Sequence, residues 1–312
     1  MRAVTLTTRP IATAACVIHV TAVMVLLGVA GANTAGAQAT ARAAPTVPAT
    51  TPTPAIPADS SRAKTEADLT GKEIFDRVVE NRFESMIQIA GLISGNRADR
   101  TFATQFQVYW KNYEDVPNRD KAESKTLIRY LDPFDMRHTS YLAVSKEGGR
   151  EDHWVYLPSR GQIRRINLRG DSIYGTDFSF EDVVPPETED SEYKRLADDP
   201  LDGIDCFVVE VYPKPEARSE YSKMVVWVDK ARNLPIKTRY WNLFDLEVKE
   251  FLADPSTIEK IEGIWVAHRS TMRHLRRGTF THMVLEEVRP NANLTERHFD
   301  LRRLESGIDP AG

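Results

Sequence analysis

The chain has 312 residues, 41% hydrophobic and 28% charged, with a formal net charge of −4. That length allows one sizeable core, and the acidic balance excludes strong bulk attraction to nucleic acid or to an anionic membrane. Of the two cysteines, Cys16 falls in a segment expected to be lost on export, so Cys206 stands alone and no internal disulfide can hold the fold.

The first segment reads as an export signal. Arg2 and Arg9 make a positive start, residues 11–30 form an apolar run, and Ala35, Ala37 and Ala39 satisfy the small-x-small cleavage rule. A signal peptide is expected over 1–37. The run is long enough for the alternative of an uncleaved anchor, but His19 and the small residues after Leu27 favour cleavage. Residues 38–68, rich in Ala, Thr and Pro, lack apolar periodicity and read as an extended linker. One folded domain is expected over 69–304, with a short C-terminal tail at 305–312.

The domain opens with a helix. Ile74, Phe75, Val78, Val79, Phe83, Met86 and Ile87 recur at helical spacing, which predicts an amphipathic helix from Glu73 to Ile87. Thr70 with Glu73 forms the capping-box pattern. The period then becomes two: Phe102, Thr104, Phe106, Val108 and Trp110 share one strand face, against Thr101, Gln105 and Gln107 on the other.

Short strands separated by turn signals follow, the pattern of an antiparallel meander. They are expected at 125–131, 139–145, 153–157 and 163–168, with Gly148 and Gly149 making a hairpin. Strands resume around Tyr193 and at 206–212, 224–228, 234–241, 246–251, 265–275 and 280–288, with a short helix or tail near Glu296. About ten strands with hardly any helix between them predict an α+β fold that is mainly an antiparallel sheet. A sheet of that width tends to curl, and apolar surface left uncovered on its concave face is a candidate ligand cavity.

Several motifs carry residues capable of chemistry. Neither a G-x-S-x-G elbow nor an H-E-x-x-H run is present. His268 and His274 lie six positions apart on one strand, about 20 Å, too far to share a metal with each other. Cys206, within an apolar run, reads as a small core residue. Arg164, Arg165 and Arg169, and Arg273, Arg276 and Arg277, form basic patches that read either as solvated faces or as local contacts for phosphate or carboxylate head groups. The loop from Gly175 to Val183 mixes Phe178 and Phe180 with Asp177, Glu181 and Asp182. It reads as a plug fastening the sheet end or as a gate at a cavity mouth, and its carboxylates lack the spacing of a calcium loop.

Four segments, WVYLPSRGQIRRI, GTDFSFEDV, YSKMVVWVDKARNLPIK and IEGIWVAHRSTM, together resemble the LolA-like outer-membrane lipoprotein-sorting family, from about Gly71 to Leu304. The resemblance implies a periplasmic half-open β-barrel whose concave face is covered by helices. It also implies a carrier of acyl chains with no cofactor and no chemical step, moving lipid or lipoprotein cargo toward the outer membrane. Its partners would be an inner-membrane transporter and an outer-membrane acceptor, and not nucleic acid. The alternative is a periplasmic lipoprotein sensor or adaptor acting on a membrane-bound transporter or regulator. Lining residues are expected at Phe102, Phe106, Val108 and Trp110, then at Leu142, Trp154, Tyr156, Met224, Val226 and Val228, with Phe178 and Phe180 at the mouth.

Overall fold

The computed structural model describes residues 65–96, 101–113, 118, 121–146, 150–166, 170–173, 175–183 and 191–304. The expected signal peptide, the linker up to position 64, the Gly148 and Gly149 hairpin, Arg169 and the tail at 305–312 lie outside these residues. Thr65 to Asp68, at the end of the expected linker, make a short 3-10 turn.

Helix α1, Gly71–Glu80, starts where its cap predicts: Thr70 accepts from the Glu73 N–H at 3.2 Å, and the Glu73 carboxylate accepts from the Thr70 N–H at 2.9 Å. It ends seven residues earlier than the periodicity suggests, because Asn81 caps it. Met86 and Ile87 belong instead to β1, Ser85–Asn96. Ile87 lies four positions after Phe83 and so extends the helical pattern. However, Ile87, Ile89 and Ile93 also keep a period of two, and Gly91 and Gly95 disfavour a helix there.

The other strands are β2 (Thr101–Asn112), β3 (Ala122–Asp132), β4 (Ser140–Lys146), β5 (Arg150–Leu157), β6 (Gln162–Ile166), β7 (Ser191–Arg195), β8 (Cys206–Pro213), β9 (Tyr221–Asp229) and β10 (Leu234–Asn242). They are followed by β11 (Glu247–Ala253), β12 (Ile258–Ile261), β13 (Ile264–Ala267), β14 (Arg269–His274) and β15 (Thr279–Pro290). Thirteen of them make one antiparallel sheet in the order β6-β5-β4-β3-β2-β1-β15-β14-β11-β10-β9-β8-β7, and β12 and β13 pair as a separate hairpin. Fifteen strands therefore stand among the described residues where the sequence suggested about ten. β1 was hidden by the helical pattern, and the expected 265–275 strand breaks at His268 into β13 and β14.

The sheet is strongly curled, and α2, Phe180–Val183, measures how far. The Phe180 ring lies 4.7 Å from that of Tyr141 on β4, while Asp182 accepts a 2.8 Å hydrogen bond from Tyr221 Oη on β9. Those strands stand eight places apart, about 38 Å in a flat sheet at roughly 4.8 Å per step. Two residues of helix cannot span that distance, so the sheet wraps around its filling. Its two edges, β6 and β7, do not pair with each other, which makes the structure a half-open barrel.

Each face has its own cluster. On the convex side of β1 to β5, Ile87, Tyr109, Leu127, Leu142 and Val144 pack with Leu294, Phe299 and Leu304 of the C-terminal segment, which ends in α3, Leu301–Leu304. Lys111 Nζ donates to the Leu294 carbonyl at 2.6 Å and Lys125 pairs with Glu296 at 2.7 Å. On the concave side α1 lies over β7 to β9, where Ile74 and Phe75 meet Phe207, Val209, Val211 and Val228. A Cβ on Gly71 would meet the Arg195 nitrogen at 2.8 Å, so the first turn of α1 sits directly on the backbone of β7. Cys206 is a buried core residue against Ile236 and Ala253, and burial pushes its thiol up to about 11.

Candidate ligand-binding cavity

The concave face encloses a cavity of about 500 Å³, within the range of roughly 300–1,000 Å³ common to small-molecule sites. Register decides who lines it. Met86, Gln88 and Ala90 of β1 pair with Trp110, Val108 and Phe106 of β2, and all six stand on the wall. Thr126 and Ile128 continue it on β3, Met224 and Val226 on β9, and Thr238 and Tyr240 on β10.

Of the residues expected from the sequence, Phe106, Val108, Trp110, Met224, Val226, Phe178 and Phe180 line the cavity. Phe102 does not: it sits opposite Ser94 near the start of β2, half-buried and away from the wall. Val228 faces the same side as Val226 but is sealed under α1 with Ile74 and Phe75. Trp154 and Tyr156 are corrections, because both belong to the convex cluster. Leu142 borders the wall through its chain segment, but its side chain packs in that convex cluster too. The reason is parity. β3 and β4 pair Ile128 with Tyr141 and Thr126 with Ala143, so on crossing into β4 the concave face passes from even to odd positions.

Two covers close the hollow. At one end, α1 contributes Phe75, Val78 and Val79, followed by Arg82 and Phe83 of the connection to β1. The β12–β13 hairpin adds Ile264, Trp265 and Val266 and is tied to the helix cap by a reciprocal pair. Asn81 Nδ2 donates to the Trp265 carbonyl at 3.0 Å, and the Trp265 N–H donates to Asn81 Oδ1 at 2.9 Å.

The second cover is a strap between β6 and β7, described at residues 170–173 and 175–183, whose Ile173, Phe178 and Phe180 are buried with Phe106, Ile128 and Tyr130. Both readings of this loop meet in the fold, since its rings line the cavity while its carboxylates fasten it. Asp177 accepts from Thr279 Oγ1 at 2.5 Å and Thr281 Oγ1 at 3.1 Å. Glu181 takes the Ser219 hydroxyl and the Glu220 N–H. Asp182 accepts from Tyr221 Oη, from the Ser179 N–H and hydroxyl, and from Lys249 Nζ at 2.9 Å.

Most of the wall is apolar, with Arg82, Glu151, His153, Glu181 and Asp182 as its charged or titratable members, and its tyrosines stay neutral. Burial, and secondarily Asp171, pushes the Tyr141 phenol up to about 12; burial and then Asp182 hold Tyr221 and Tyr240 well above the usual phenol range. These rings are neutral at any physiological pH and present apolar surface with a polar tip. Ser145, Glu151 and His153 share one stretch of wall, but Glu151 reaches both others, at 3.5 Å to Ser145 Oγ and 3.0 Å to His153 Nε2. A nucleophilic serine needs the imidazole beside its hydroxyl, whereas here the carboxylate faces it.

Sequence reasoning missed Tyr141, Tyr221, Tyr240, Phe251, Trp265 and Leu285 on the wall. For the strand residues the signal lay in the alternation within each segment, but which parity faced inward depended on the pairing register.

A family model described as "uncharacterized protein" matches residues 122–306. None of the curated proteins matches the chain. Among solved structures, a DUF1329 family protein from Desulfovibrio piger is 27% identical, with a TM-score of 0.67 over 75% of this chain and 99% of its own. A domain named for outer membrane lipoprotein sorting, from Vibrio parahaemolyticus, is 24% identical, with a TM-score of 0.67 over 75% and 98%. A LolA superfamily protein from Nitrosomonas europaea is 18% identical, with a TM-score of 0.62 over 75% and 99%.

Proposed function

The chain belongs to that family of uncharacterized proteins and has the LolA-like fold, and from this premise we propose that it is an exported, periplasmic carrier. It takes the acyl chains of a lipid or lipoprotein into the concave cavity and moves them toward the outer membrane, with no cofactor and no chemical step. The observation that carries this reading is the hollow itself: about 500 Å³, walled by Phe106, Val108, Trp110, Met224 and Val226 and covered at both ends. The name of the Vibrio parahaemolyticus relative points the same way.

Energetics agree. A tail of about 15 methylenes moved from water into this wall gains about 12 kcal/mol, at about 0.8 kcal/mol each. That holds cargo firmly across an aqueous gap, and release then requires a cover to move. Trp110 Nε1 is buried without a hydrogen-bond partner, which offers a donor to the carbonyl of an ester or amide linkage. Export rests on the positive start and apolar run of residues 1–37. No helix among the described residues is long and apolar enough to cross a membrane.

The test is extraction. Protein purified from its native compartment should yield lipid by mass spectrometry, and Phe106→Asp or Trp110→Asp should empty the cavity and abolish transfer to acceptor vesicles. Protein that carries nothing apolar, with both variants matching the parent in transfer, ends the carrier reading.

A further inference from the structure

The antiparallel order sorts every turn of the sheet to one of two ends. At the end where β3 meets β4, β10 meets β11 and β14 meets β15, the turns carry Phe134 (83% exposed), Leu243 (64%), Phe244 (83%), Leu246 (43%) and Leu275 (43%). The two other large apolar side chains exposed among the described residues, Ile93 and Tyr212, lie near strand termini at this same end. The opposite end, with α1 and the β12–β13 hairpin, has none among the described residues. Scattered exposed apolar groups are ordinary on a soluble protein; their collection at one end is what requires a cause.

Two of the turns are neighbours. The Leu275 N–H donates to the Val248 carbonyl at 2.8 Å, and Lys249 pairs with His274 in the adjoining strands. Leu243, Phe244, Leu246 and Leu275 thus form one patch, with Arg276 and Arg277 exposed beside it. On the third turn the Arg137 guanidinium lies 5.7 Å over the Phe134 ring. On the Phe134 turn Arg137 is balanced by the exposed Asp132 and Asp135, whereas beside Leu275 the two arginines Arg276 and Arg277 stand against Asp245, which accepts the Ser222 hydroxyl at 2.9 Å. The patch is locally basic in an acidic chain. Its apolar groups sit on projecting tips rather than in a groove. Tips of this kind enter the boundary between head groups and acyl chains, while arginines beside them meet phosphates.

We propose that this end of the half-barrel docks on a bilayer surface containing anionic phospholipid. Docking needs no cargo and goes beyond the carrier reading. It would also set the strap against the membrane, because Asp177 is held by Thr279 and Thr281, directly after the β14–β15 turn.

Vesicle flotation tests the proposal. The chain lacking its signal segment should float with phosphatidylglycerol/phosphatidylethanolamine vesicles, and Phe244→Ser with Leu246→Ser should lower partitioning at least tenfold at unchanged Tm. Arg276→Gln with Arg277→Gln should weaken flotation several-fold on anionic vesicles and flatten its salt dependence. The proposal is overturned if the parent stays unbound on anionic vesicles, or if the Phe244/Leu246 double variant floats like the parent. Bound lipid is read separately by mass spectrometry of the same preparations, so an empty cavity with intact flotation counts against the carrier reading alone.

Discussion

Helix α1 and the strap between β6 and β7 both cover the concave face, and they are held in different ways. α1 itself rests on non-directional apolar contact through Ile74, Phe75, Val78 and Val79, with polar ties only at its two ends: the Arg195 guanidinium donates to the carbonyls of Glu66, Ala67 and Leu69 ahead of it, and Asn81 binds the β12–β13 hairpin behind it. The strap buries Phe178 and Phe180 as well, but three carboxylates pin it to β15, to the turn before β9, and to β9 and β11. Hydrogen bonds to charged groups are worth about 1.5–3 kcal/mol each and demand fixed geometry, whereas apolar contact tolerates sliding. The difference teaches which cover yields first: the helical side should open while the strap stays seated.

The strongest way to break that comparison is to unpin the strap. Asp182 and Lys249 are a buried pair, with side chains 1% and 12% exposed. Asp182→Ala strands the lysine and should cost about 3 kcal/mol or more in urea unfolding; a loss below about 1 kcal/mol would mean that the rings alone seat the strap. On the other cover, Asn81→Ala removes two hydrogen bonds to Trp265 and should lower protection of β13 amides in hydrogen exchange by about 1–2 kcal/mol. Strap amides should not change. Thr70→Ala removes the α1 cap and should cost about 1 kcal/mol, read as faster exchange confined to the first turn of the helix.

The smallest effect is a pH dependence. Burial first, and then the charge of Arg277, lowers the His274 pKa below its ordinary value of 6.5, although Asp177 pulls the other way. The folded state therefore resists protonation that the unfolded chain accepts. Stability should be full above pH 6.5 and decline as pH falls from there through the depressed folded value. His274→Gln should flatten that part of a Tm-against-pH curve; an unaltered slope would assign it to other groups.

Much of this was legible in the chain. The Thr70 and Glu73 cap and the Phe106, Val108 and Trp110 alternation are local properties, and both stand where the periodicity put them. β1 was not legible, because Ile87 satisfies a helical and a strand period at once and only pairing with β2 and β15 chooses between them. Trp154 and Tyr156 went to the wrong face for a related reason: alternation tells which residues share a face, while register tells which face is inside. The strap's carboxylates looked like an isolated acidic cluster until folding brought Thr279, Thr281, Ser219, Tyr221 and Lys249 to them.

By itself, then, the sequence determined the kind of object this is: an antiparallel sheet with one capped helix and alternating aromatic stripes. Spacing and composition act over a few residues and need no partner. Only the tertiary structure decided which stripes face the hollow, what covers each end, and that the exposed apolar turns gather at one end. Those outcomes depend on strand order and pairing across a sheet of thirteen strands, where contacts join residues a hundred or more positions apart.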